Sequence, residues 1–138
     1  MKFSPHSERP TKLLHCLQGW PPPGPNHFRW EHGQLVYMLP DRSLDSRNWD
    51  KVVVPTLTQW YEFWRVCDEI DVWSWPPTLG DMSVCDGLQW VLELEVSGRR
   101  VASEGQVHGA PPDTGSKLMR LHRALQAMAG WQAPSQYD

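Results

Sequence analysis

Leu88-Gln89-Trp90-Val91-Leu92-Glu93-Leu94-Glu95-Val96-Ser97-Gly98-Arg99-Arg100-Val101-Ala102-Ser103-Glu104-Gly105-Gln106-Val107 decides the fold. Trp90, Leu92, Leu94 and Val96 alternate with Gln89, Val91, Glu93 and Glu95, the period of a strand buried on one side. Ser97-Gly98 is a two-residue turn signal. A turn there sets the register: Glu95 opposite Arg100, Leu94 opposite Val101, Leu92 opposite Ser103, Trp90 opposite Gly105. A large ring packs well over a strand glycine, which has no side chain to clash. Glu95 and Arg100 are expected to form a cross-strand ion pair on the face away from Trp90.

Working outward towards the C-terminus, Pro111-Pro112 closes the second arm and residues 113–129 read as a helix. Asp113 or Thr114 is its cap, Leu118, Leu121, Leu125 and Met128 recur at helical spacing, and Gly130 suits the left-handed position after the last turn. Residues 132–138 read as a frayed tail. Towards the N-terminus, residues 78–87 read as a loop and residues 70–75 as a strand stopped by Pro76-Pro77. Residues 56–68 form the other helix. Thr56 with Gln59 matches a capping box. Leu57, Trp60, Trp64 and Cys67 share one face of it, with Tyr61 and Phe63 widening the stripe. Lys51-Val52-Val53-Val54 is a short strand ended by Pro55, and residues 40–50 are polar and loop-like. Residues 27–39 read as a second hairpin turning at His32-Gly33, with Trp30 opposite Leu35 and Phe28 opposite Tyr37. In residues 1–26, Leu13, Leu14 and Leu17 suggest a helical turn, and Pro21-Pro22-Pro23-Gly24-Pro25 forces an extended segment.

The expected architecture is α+β: a single antiparallel sheet of about five or six strands with two helices packed on one face. The expected organisation is a Pro-rich N-terminal arm over residues 1–26, one domain over 27–131 and a C-terminal tail over 132–138. The 138 residues suit a single domain that can bury a core without disulfides, and 21% charged with 40% apolar residues is a globular composition. Net charge is −3 and the pI is near 6.0, against the basic excess usual in nucleic-acid binders. Cys16, Cys67 and Cys85 are an odd number and far apart, which fits reduced thiols in a cytoplasm. The N-terminus has no secretion-signal core, and no apolar run approaches the roughly 20 residues that span a bilayer.

The sequence Val72-Trp73-Ser74-Trp75, then Asp86-Gly87-Leu88-Gln89-Trp90, Ser103-Glu104-Gly105 and Pro111-Pro112 before a leucine-rich helix resembles a pattern of small uncharacterised bacterial proteins. In that pattern a V-W-x-W strand precedes D-G-x-x-W, a glycine-tipped hairpin, S-x-G, a proline and a helix. The resemblance covers about residues 72–128. It departs from the pattern where Pro76-Pro77 follows the strand and where His108-Gly109-Ala110-Pro111 precedes the helix. It implies a shared α+β fold and a bacterial setting such as phage defence, and carries no activity.

Histidines at 6, 15, 27, 32, 108 and 122 make no metal spacing, and no C-x-x-C occurs, so no metal or cofactor is expected. Cys85 with His108 and Asp86 is the least unfavourable nucleophile set, making a small cysteine-dependent hydrolase the third reading. A single-strand or RNA grip by Arg99, Arg100, Lys117, Arg120 and Arg123 is the second. The first is non-catalytic: a protein-binding module, an accessory subunit or an immunity-type inhibitor. It rests on nine Trp and thirteen Pro, since aromatic residues are enriched at interfaces. Trp20, Trp49 and Trp131 belong to no periodic stripe and are the expected protein contacts.

Overall fold

A computed structural model describes residues 6–19, 23–39, 51–81, 83 and 87–131. The fold is α+β, with two helices and one seven-stranded sheet. In chain order the strands are β1 (Lys12–Gln18), β2 (His27–Glu31), β3 (Gln34–Met38), β4 (Lys51–Val53), β5 (Thr78–Leu79), β6 (Gln89–Val96) and β7 (Arg99–Gln106). The helices are α1 (Leu57–Glu69) and α2 (Thr114–Met128). The strands lie in the order β4-β3-β2-β1-β6-β7-β5.

Both hairpins take the register that their turns dictate. Trp30 faces Leu35 and Phe28 faces Tyr37 across β2–β3, and Glu95 faces Arg100 and Trp90 faces Gly105 across β6–β7. His32-Gly33 and Ser97-Gly98 both carry positive φ at both positions, the mirror-image turn whose twist matches the strands. The pleat then sends Trp90, Leu92, Leu94 and Val96 inward. The expected ion pair is absent: among the described residues Glu95 and Arg100 are unbridged, and Glu93 pairs instead with Lys12 at 2.9 Å.

Three expectations are corrected. The sheet has seven strands, and it is mixed, because β5 runs parallel to β7 where a loop was expected. Leu13, Leu14 and Leu17 belong to no helical turn but to β1, a central strand between β2 and β6. Its inward residues are Leu13, His15 and Leu17, an alternation concealed because the middle one is a histidine. Residues 70–75 are no strand either. Asp71 turns left-handed at φ 52° after α1, and Val72–Ser74 is a 3₁₀ turn. Val72 is buried, and the Trp73 indole N–H donates back to Asp68 Oδ1 at 2.9 Å.

Each helix meets the sheet through the same inward face. Trp60 of α1 packs edge-on against Trp30, and His122 of α2 touches His15 and Phe28. The capping box of α1 is formed, with Gln59 N–H donating to Thr56 Oγ1 at 3.1 Å and Thr56 N–H donating to Gln59 Oε1 at 2.8 Å. Trp60, Phe63, Trp64 and Cys67 are buried on α1, and Leu118, Leu121, Leu125 and Met128 on α2. Asp113 precedes α2 without a side-chain capping bond, and Gly130 is left-handed after it as expected.

Candidate protein-binding surface

Most of the large apolar side chains left exposed fall in one stretch of sequence. Of the six among the described residues, four lie within residues 52–61: Val52 at 51% exposure, Val54 at 56%, Leu57 at 57% and Tyr61 at 40%. Val52 lies on the sheet face away from the helices, opposite Val36, while Leu57 and Tyr61 lie on α1. β4 is an edge strand, Pro55 ends it, and the Thr56 cap starts α1 at once. The first turn of α1 thus follows directly on the border of the sheet. Leu57, expected on the buried stripe, is exposed there, and Tyr61 sits one turn on along the same side. Phe63 is buried in the stripe instead.

Two hollows meet at the first turn of α1. One of about 260 Å³ is lined by Ser7, Leu57, Thr58 and Tyr61. The other, of about 330 Å³, lies between the helices, with Phe63, Val66, Ala124 and Met128 in its lining, and Thr58 is common to both. Charges near the helix pair are matched: Arg65 pairs with Glu62 at 2.9 Å and with Glu69 at 2.7 Å, and Arg120 reaches Glu69 at 3.4 Å. The surface offers apolar contact beside neutralised charge.

Of the tryptophans expected to contact a partner, Trp20 and Trp49 lie outside the described residues. Trp131 is half-buried, with its ring against Gly24, where a Cβ would collide with the indole. Beside it the Gln126 amide donates to the Pro23 and Pro25 carbonyls at 2.9 and 3.0 Å. The described part of the proline run is thus clasped to the C-terminal end of α2.

Arg99, Lys117 and Arg120 are each paired within the chain. Arg99 is largely buried, donates to Asp68 Oδ1 at 2.9 Å and lies 4.5 Å over the Trp73 ring. Lys117 pairs with Asp113 at 2.9 Å, and Arg120 with Glu69. Arg100 and Arg123 are exposed on β7 and α2.

Cys85 and Asp86 lie outside the described residues, and His108 is exposed. A different cysteine–histidine pair is formed. Cys16 on β1 and His27 on β2 are register partners on the face away from the helices, with Sγ 2.9 Å from Nε2. A hollow of about 90 Å³ adjoins Cys16. Burial raises the thiol pKa and lowers that of His27, so the pair stays neutral and the thiol is a poor nucleophile. Sequence reasoning missed the pair because only the β1 register brings residues 16 and 27 together. Among the described residues no group of three or more metal-ligating side chains occurs, and no helix is long and apolar enough to cross a membrane. Compared with protein-family models and with curated proteins, the chain matches none.

Proposed function

We infer that the protein is a non-catalytic protein-binding module, an accessory subunit or immunity-type inhibitor acting in the cytoplasm of a bacterial system such as phage defence. The observation that carries this reading is the exposed Leu57 and Tyr61 side chains on α1, beside two hollows that meet at Thr58. Apolar and aromatic side chains of this kind supply the desolvated centre of protein interfaces. The pairing of Arg99, Lys117 and Arg120 with carboxylates weighs against the nucleic-acid reading, since a phosphate would have to displace an intramolecular partner.

Site-specific photocrosslinking tests the inference. A crosslinker at position 57 or 61 is expected to capture one protein species in stoichiometric yield, and Leu57→Asp to abolish that capture from position 61. Crosslinks to nucleic acid from positions 100, 117 and 120, with salt-sensitive retention, would replace this reading by the second one.

A further inference from the structure

The core contains a histidine–histidine contact with no part in the Leu57 and Tyr61 surface. His15 on β1 and His122 on α2 have no exposed surface, and His15 Nε2 lies 3.0 Å from His122 Nδ1. Their centroids are 5.2 Å apart, and the Phe28 ring lies 6.2 Å from His15 and 6.0 Å from His122. The remaining two nitrogens, His15 Nδ1 and His122 Nε2, are buried without a hydrogen-bond partner.

Proton counting defines what this pair tolerates. Two neutral imidazoles share two protons among four nitrogens. In either tautomer set one N–H spans the gap, leaving one unpaired N–H and one unpaired lone pair. A first added proton places a charge beside Phe28 and Leu92, the strand neighbours of His15. A second places N–H groups on both facing nitrogens and abolishes the bond. The surroundings do not favour either event. His27 from β2 opposes a charge on His15, and Arg123 from α2 opposes one on His122. The Val91 backbone slightly favours a charged His15 but makes no well-formed hydrogen bond to it. Cys16 on β1, Arg29 on β2 and Glu93 on β6 stand on the opposite sheet face. Leu118, Leu121 and Leu125 of α2 are apolar.

We propose that the His15–His122 contact is an acid-opened latch between the central strand and α2, and that acidification releases α2 together with the proline segment clasped by Gln126. Burial, with Arg123 adding to it, lowers the His122 pKa from 6.5 to about 4. On release the imidazole regains its ordinary affinity for protons. That difference favours the open form by about a hundredfold more at pH 4 than at pH 7, from His122 alone.

Hydrogen exchange of the full chain, corrected for the intrinsic rate at each pH, tests the latch. Between pH 7 and pH 4, amides of α2 are expected to lose tenfold or more in protection and to exchange well before those of β6 and β7, which open only when the whole domain unfolds. In His122→Gln, where His15 alone of the pair still titrates, the loss in α2 is expected to shrink. Equal protection of α2, β6 and β7 at pH 4, or an unchanged loss in His122→Gln, overturns the proposal. Should that variant not fold, carbon-resolved titration of the wild-type imidazoles decides. Both rings silent down to pH 5 supports the latch, and either ring titrating near pH 6.5 in the folded protein overturns it.

Discussion

At Gly105 a single methyl group has no room. A Cβ built there would stand 2.8 Å from the Trp90 ring and against the Leu79 carbonyl. Gly105→Ala is expected to destabilise by about 1–3 kcal/mol through overpacking, read as a shift of the urea midpoint at constant slope. Gly115, near the start of α2, is the contrast: its added Cβ meets only Val107 at 3.6 Å. Gly115→Ala is expected to stabilise by about 0.4–1 kcal/mol, by removing freedom from the unfolded chain. Trp64 is fully buried, stacks on Trp60 and donates its indole N–H to the Glu8 carbonyl at 2.7 Å. Trp64→Ala should therefore lose about 3–5 kcal/mol, and an unchanged melting curve would contradict its place in the core. The Trp90–Gly105 pairing was legible in the sequence because turn length fixes register. The exposure of Leu57 was not, because helical periodicity groups residues by face without saying where the sheet beneath them stops.

Elements were legible where one local rule governed them. Both hairpins and both helices carry their own turn or periodicity signal. The Thr56 cap is testable on its own: Thr56→Ala is expected to lose about 1 kcal/mol, with amide exchange in the first turn of α1 rising before the rest. β1 was illegible for a chemical reason, since its middle inward residue is a polar type that only an opposing histidine makes acceptable. Residues 70–75 misled in the opposite sense: alternating Trp and β-branched residues describe a strand, but Trp73 and Trp75 are committed to contacts with Trp64 and Trp90 around a tight turn. The β1–α2 contact also sets a pH dependence. Because burial lowers both imidazole pKa values, the unfolded chain binds protons more readily than the folded one. The stability due to this contact is full above the unfolded value of 6.5 and is lost as pH falls towards the folded values. For His122 the loss spans pH 6.5 to about 4 and amounts to about 3 kcal/mol. Melting temperatures measured across that interval should fall in the wild type and fall less in His122→Gln.

Across the whole molecule, binding and stability should separate. Leu57→Asp changes a side chain that is already in water, so it is expected to leave the melting temperature within a degree or two and remove partner capture. Trp131→Ala should lower the melting temperature by loosening the clasp on residues 23–25, with capture at position 57 retained. The exposed Leu57 and Tyr61 surface was not legible in advance, because helical periodicity groups Leu57 with the buried stripe. The Cys16–His27 pair was hidden for the same topological reason as β1 itself. That topology also orders events in time. Of the strands described β1 is the earliest in the chain, yet one of its two neighbours, β6, follows more than seventy residues later, whereas its other neighbour, β2, is supplied at once. A nascent chain can close β1 to β4 as a four-stranded ribbon while still on the ribosome, but the open side of β1 must wait. The seam between β1 and β6 is the long-range closure that sets the pace of folding. Until it forms, the unpaired backbone edge of β1 is the part of the newborn protein with most need of a chaperone.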